Sequence, residues 1–222
     1  MTYKNIKDVL HPHGLICRGA IALASDDPIK PSGSLVMVGN AGPQMWKAFA
    51  GSFDTYQQDP MDTWTRRVVD PIASAFKAQA LFPFDGPPYH PFQQWAQRAE
   101  PVFPSPIGPL IHPIYGLWHA YRAALIFDHR IDMPTIEKTL SPCESCIDKP
   151  CLTACPVGAF KPDLYNVPAC VDHLDTMAST ECGFWGCLAR YACPVVQNYV
   201  YEPKHAQFHM EKFVSSQQKS RF

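Results

Sequence analysis

Cys143-Glu-Ser-Cys146-Ile-Asp-Lys-Pro-Cys151-Leu-Thr-Ala-Cys155-Pro156 opens a run of eight cysteines that continues through Cys170, Cys182, Cys187 and Cys193-Pro194. Cys17 alone, of nine, lies outside it. Eight thiolates are the ligand count of two four-iron clusters, and soft sulfur donors select iron–sulfur or zinc over hard cations. Both halves end in Cys-Pro. The proline fixes φ and donates no N–H, so the chain turns away from the centre while the thiolate stays aimed inward.

Two-cluster ferredoxins read C-x2-C-x2-C-x3-C-P, with the last cysteine reaching across to the other cluster. On that pattern Cys143, Cys146, Cys151 and Cys193 hold one [4Fe-4S] cluster. Cys155, Cys170, Cys182 and Cys187 hold the other. The spacing departs from the pattern where Ile147-Asp148-Lys149-Pro150 separates the second and third cysteines, and Cys182-x4-Cys187-x5-Cys193 is looser still. If the looser half fails to close, only the first cluster forms. Two four-cysteine zinc sites share the Cys143-x2-Cys146 spacing, although Cys-x3-Cys-Pro is not a typical zinc-knuckle ending. Disulfides are disfavoured because the start Met1-Thr2-Tyr3-Lys4-Asn5-Ile6-Lys7 has no apolar export region.

The 222 residues are 46% hydrophobic, enough for a packed core, and fit two unequal domains. A net charge of -1 with 18% charged residues gives no basic field for nucleic acid, which is disfavoured as a partner, and no polybasic run for an anionic membrane. The most apolar stretch, residues 107–127, is broken by Pro109, His112, Pro113, His119 and Arg122, so no membrane span is expected. Unpaired thiolates then place the protein in the cytoplasm.

Gly14–Leu23 and Ser34–Val38 read as strands, apolar and bounded by turn formers. Gly39-Asn40-Ala41-Gly42 leads to a helix from Pro43. Asp62–Lys77 reads as a helix with Trp64, Val68, Ile72 and Phe76 every four residues, kinked at Pro71. Ala78–Phe84 is a strand, Phe92–Glu100 a helix, residues 101–109 a loop, and Leu110–Tyr115 and Trp118–Phe127 are strands. The fold class is therefore α+β: a mixed α/β sandwich over residues 1–132, then a small ferredoxin-like domain over 133–200, then a polar tail over 201–222.

Val38-Gly-Asn-Ala-Gly-Pro-Gln-Met-Trp-Lys-Ala-Phe49, Asp59-Pro-Met-Asp62 and Ile111-His-Pro-Ile-Tyr-Gly-Leu-Trp-His-Ala-Tyr-Arg122 resemble the corresponding stretches of CblC-type cobalamin-processing chaperones. That family has a nitroreductase-like α/β domain that holds base-off cobalamin. The domain order also resembles epoxyqueuosine reductase, in which a similar cobalamin-binding domain precedes a two-cluster ferredoxin domain; Ile107-Gly108-Pro109-Leu110 stands where that family has its glycine-lysine-asparagine stretch. The resemblance implies cobalamin as a cofactor, with His112, Tyr115, Gly116, Trp118 and Arg122 lining its pocket.

Taken without the resemblance, His112 is structural, and Tyr115 and Trp118 are core aromatics. Gly116 allows a planar macrocycle to approach the backbone, and Arg122 in an apolar strand must find an anion of the fold or of a ligand. Gly39–Gly42 lacks the lysine of a phosphate loop. His11 and His13 read as a solvated turn, Cys17 as a buried free thiol, and His205 and His209 as surface residues. The expected function is delivery of low-potential electrons through two [4Fe-4S] clusters to a corrinoid or small-molecule substrate in the first domain. The electrons would come from a donor protein of ferredoxin or flavodoxin type. The alternative is an accessory ferredoxin-type carrier whose first domain binds a protein partner and no cofactor.

Overall fold

A computed structural model describes residues 2–25, 27, 29, 33–52, 59–137, 139–161, 164–175 and 181–219. The chain forms two compact units that interleave in sequence: Met1–Val102 with His119–Thr139, and Phe103–Trp118 with Leu140–Phe222. The segment Phe103–Trp118 thus groups with the cysteine-bearing residues, whereas the sequence boundary at residues 132 and 133 put it with the first domain. Ile107, Ile111 and Leu117 pack in one apolar cluster with Cys151, Phe160 and Cys193, which explains the grouping.

In the first unit, helix α1 (Tyr3–Leu10) starts from a capping box between Thr2 and Asn5. Strands β1 (Ile16–Ala22), β2 (Ser34–Ala41), β6 (His119–Phe127) and β3 (Gln79–Leu81) form one antiparallel sheet in the order β1-β2-β6-β3. The central strand β2 is apolar on both faces, and Leu35, Val36, Met37 and Val38 are fully buried, as a strand covered on both sides must be. The register of β1 on β2 shifts between Cys17 and Ala20, and that of β2 on β6 between Val38 and Gly39. Such irregularities re-aim side chains, here around Arg18 and Arg122.

Helices α2 (Gln44–Ala50), α3 (Pro60–Ala75) and α4 (Phe92–Ala99) complete this unit. α3 runs through Pro71 for four more residues. Its buried residues are Pro60, Met61, Trp64, Thr65, Val69 and Ala73, and of the four-residue series Trp64-Val68-Ile72-Phe76 read from sequence only Trp64 is among them. At 3.6 residues per turn a strict spacing of four precesses around the helix, so only its first member keeps to the core face. α4 lies against β1 at Gly19, whose φ is +78° and whose missing Cβ would stand 2.0 Å from the Ala99 carbonyl oxygen. Only glycine meets both conditions.

In the second unit, β4 (Phe103–Pro104) pairs with β5 (Leu110–Ile111), where the sequence suggested a loop and a longer strand. Short helices α5 (Pro142–Ser145), α6 (Pro150–Thr153), α7 (Val167–Leu174), α8 (Glu181–Trp185) and α9 (Leu188–Tyr191) carry or border the cysteines, and β7 (Phe160–Lys161) pairs with β8 (Leu164–Tyr165). The expected polar tail is instead helix α10 (Pro203–Lys219). Its Met210, Phe213 and Val214 pack with Leu174, Cys170 and Cys182, an apolar stripe that the polar composition of the segment conceals. The architecture is mixed α and β with small sheets. Among the described residues no helix is long and apolar enough to cross a membrane.

Candidate functional site

All nine cysteines are free thiols. The eight of the second unit separate into two electrostatic groups. Burial raises the pKa of Cys143, Cys151 and Cys193, and their thiols raise it further through one another and through Cys146: Cys193 and Cys146 act on Cys143, Cys193, Cys143 and Cys146 on Cys151, and Cys146 on Cys193. In the other group burial again dominates. Cys155 and Cys182 act on Cys170, Cys155 on Cys182, and Cys182 and Cys170 on Cys187, whose thiol is pushed up to about 11. None of these interactions joins Cys143, Cys146, Cys151 or Cys193 to Cys155, Cys170, Cys182 or Cys187.

Backbone N–H groups meet the sulfurs. Ala159 donates to Cys155 Sγ at 3.3 Å, Leu188 to Cys182, Ala189 and Arg190 to Cys187, and Val195 to Cys193. Those to Cys182, Cys187 and Cys193 favour thiolate and oppose the effect of burial. Short helices and turns leave such N–H groups without intrahelical partners, which is why many short elements surround the thiols. Among the described residues no three or more His, Cys, Asp or Glu side chains converge to hold a single metal ion.

The four residues between Cys146 and Cys151 have a structural role. Lys149 adopts the left-handed region, with φ +40° and ψ +57°, and caps α6. Its ammonium turns back and donates to the carbonyl oxygens of Cys143 and Cys146, at 3.2 Å each. Pro150 then starts α6, with Cys151 next to it and buried. The longer loop thus closes on itself through a cation instead of by shortness.

His112, Tyr115 and Gly116 share one turn. His112 is buried, and its Nδ1 accepts from the backbone N–H groups of Ile114 at 2.9 Å and Tyr115 at 3.3 Å. The His112 and Tyr115 rings stack 4.5 Å apart, and Tyr115 meets Tyr199 edge-on at 5.0 Å. Gly116 has φ +57°, and a Cβ there would lie 2.4 Å from the Val195 carbonyl oxygen. The close approach it allows is to the backbone of its own unit.

Trp118 is 1% exposed. Tyr191 and Tyr201 meet it edge-on at 4.9 and 5.4 Å, and the Arg190 guanidinium lies 4.5 Å over its ring while donating to the Leu117 carbonyl. A planar ligand stacks on this indole only by displacing a tyrosine or Arg190. His205 is fully buried, with Tyr201 stacked on it at 3.8 Å and His209 Nε2 3.1 Å from its Nε2. The surface reading of His205 is corrected: α10 turns this face inward.

Arg122 belongs to the first unit, where its Nε donates to Asn40 Oδ1 at 3.1 Å. The residue that sequence reasoning missed is Arg18. It is fully buried, pairs with Glu100 at 2.6 Å, and donates to the Asn40 carbonyl at 3.2 Å; His119 Nδ1 is 3.2 Å from its Nη2. Tyr121 donates to the same Glu100 at 2.5 Å. A lone cation in the apolar run Gly14–Leu23 was the available signal, since such a charge must be paired or stay wet. Cys17 is partly buried, and burial pushes its thiol up to about 12. His11 and His13 lie on a short 3-10 turn at the surface.

No protein-family model and no curated protein matches the chain. Among solved structures it is similar to the C. elegans B12-trafficking protein CblC, at 14% identity and a TM-score of 0.55, covering 93% of this chain and 91% of that one. Epoxyqueuosine reductase from Streptococcus thermophilus matches at 17% identity and a TM-score of 0.50, over 78% of this chain and 53% of that one. The chain spans about half the length of that reductase. An epoxyqueuosine reductase structure with an epoxyqueuosine-modified tRNA-Tyr stem loop has a TM-score of 0.49 at 16% identity, over 92% of this chain and 70% of that one. At these identities the likeness is one of fold: the chain is built on the α+β framework that a B12-trafficking protein and an epoxyqueuosine reductase have in common.

Proposed function

We propose that the chain is an iron–sulfur redox protein that passes low-potential electrons to a corrinoid or small substrate held by its N-terminal domain, residues 1–132. The separation of the eight thiols into two groups that cross in sequence carries this reading. Cys193 falls with Cys143, Cys146 and Cys151, and Cys155 with Cys170, Cys182 and Cys187, the pairing that two-cluster ferredoxins use. The residues fit the group. Cys155, Cys170, Cys182 and Cys187 line one small cavity whose other walls include Val157, Phe160, Leu174 and Met210, a dry setting for a cluster. When bound, the clusters supply one-electron transfer. The chain's own part is to keep the thiolates aimed inward, exclude water and stabilise sulfur charge with the N–H groups of Ala159, Leu188, Ala189, Arg190 and Val195. Nine free thiols suit a reducing cytoplasmic setting, and a ferredoxin- or flavodoxin-type donor is the matching source of electrons.

The packing of Trp118 supports a second reading, an accessory electron carrier whose N-terminal domain binds a protein partner and no cofactor. Trp118, His112 and Tyr115 are engaged within the second unit. Anaerobic reconstitution tests the first claim: about eight irons and eight acid-labile sulfides per chain are expected, and two zincs without sulfide would refute it. Cys193→Ser should damage the cluster of Cys143, Cys146 and Cys151. Titration with hydroxocobalamin separates the two readings, since a shift of its absorption is expected only if the N-terminal domain holds a corrinoid.

A further inference from the structure

The second unit contains a cavity of about 490 Å³ that no cysteine lines. Pro106, Ile107, Leu152 and Phe160 give it apolar walls, and Leu164 and Tyr165 from the β7–β8 hairpin form its rim. Leu164 is 57% exposed there, an apolar side chain held in water beside an apolar hollow. Its size lies within the range of small-molecule sites, about 300–1,000 Å³.

Lys149 and Ser105 line this hollow. The Lys149 ammonium spends two of its three donors on the Cys143 and Cys146 carbonyls, and no carboxylate pairs with it among the described residues. Those two bonds fix the cation in place, so little side-chain freedom is lost when a third acceptor arrives. Ser105 also lines the cavity, and its buried Oγ has no hydrogen-bond partner among the described residues. A held cation and an unsatisfied hydroxyl in an apolar hollow suit a ligand with an apolar body and one negative head group.

We propose that this cavity is a binding site for a small apolar molecule carrying a single anionic group, with Lys149 as its charge partner and Ser105 as a second donor. The site abuts the loop between Cys146 and Cys151, so its occupant sits beside the first thiol group. The inference goes beyond the redox reading and does not depend on which metal the thiols hold.

The test is calorimetric titration of the full reconstituted chain with anilinonaphthalene sulfonate and with its uncharged analogue N-phenylnaphthylamine. One saturable sulfonate site per chain is expected, with weaker binding of the analogue. Lys149→Met should weaken the sulfonate by about tenfold or more and leave the analogue unchanged. Leu164→Trp, at an exposed rim position that tolerates a larger side chain, should weaken both by filling the mouth. Iron and sulfide assays on each variant separate loss of the site from damage to the cysteine centre; if Lys149→Met loses iron, Leu164→Trp decides. The proposal is overturned by absence of saturable binding or by binding that Leu164→Trp leaves unchanged. Displacement of the sulfonate by hydroxocobalamin would also overturn it, by merging the cavity with a corrinoid site.

Discussion

Arg18 and Glu100 form a two-pronged ion pair inside the first unit, Nη2 to Oε1 at 2.6 Å and Nε to Oε2 at 3.1 Å, with Arg18 fully buried and Glu100 9% exposed. The pair ties β1 to the end of α4, and Tyr121 from β6 adds its hydroxyl to the same carboxylate. Removing one partner leaves the other charge buried and uncompensated, whereas removing both lets apolar groups take their place. Arg18→Met should therefore cost about 3–5 kcal/mol, and adding Glu100→Leu should recover a large part of that loss. Denaturant unfolding of the single and double variants measures the coupling; additive losses would show that the pair does not act as a unit.

The cysteine-rich region was legible as a unit because its eight thiols lie close together in sequence, and the structure keeps all eight in the second unit. The buried network was not. Arg18 sits in an apolar run that reads as an ordinary strand, and what turns it inward is the register shift beside Gly19, a property of pairing with β2 that local composition does not carry. The stripe on α3 was misplaced because a four-residue period resembles 3.6 over one turn and departs from it over four. α10 was read as a tail because its apolar residues, Met210, Phe213 and Val214, are few and reveal their purpose only against Leu174 and Cys182. Of the five residues tied to a corrinoid by resemblance, His112, Tyr115, Gly116 and Trp118 fall in the second unit and Arg122 in the first. A continuous motif of sequence thus crosses a boundary between compact units.

Metal should hold the second unit together. Helices of four and five residues and strands of two cannot persist alone, and their common apolar cluster includes Cys151 and Cys193 themselves. Chelation of iron should unfold this unit while the sheet of β1, β2, β6 and β3 survives. Circular dichroism and near-ultraviolet melting before and after chelation should show one transition lost and one kept. A single transition whose midpoint ignores the metal would contradict this.

Gly116 separates a packing role from a ligand role. At φ +57°, with the Val195 carbonyl 2.4 Å from where a Cβ would be, Gly116→Ala should destabilise the second unit by about 1–3 kcal/mol. The melting temperature of the reconstituted chain reports this directly. Unchanged stability with altered hydroxocobalamin binding would instead assign the glycine to a ligand.

The last expectation concerns alkaline pH and the first unit. Burial holds the Cys17 thiol up to about 12, and burial likewise raises the hydroxyl of Tyr3, which lies beside it and accepts from the Gly19 N–H. The folded chain therefore keeps Cys17 protonated at pH values where the unfolded chain, with an ordinary thiol near pKa 8.5, has released its proton. In that window the unfolded state binds fewer protons than the folded one, so stability falls as pH rises, by at most about 1.4 kcal/mol per pH unit from this thiol. The contribution is fully present below about pH 8.5 and is lost progressively up to about 12. Cys17→Ala removes the titrating group and should flatten the decline, although it gives up some packing at neutral pH. Urea unfolding of the first unit between pH 7.5 and about 10 is the measurement; parallel slopes for wild type and Cys17→Ala would mean that Cys17 does not carry the effect.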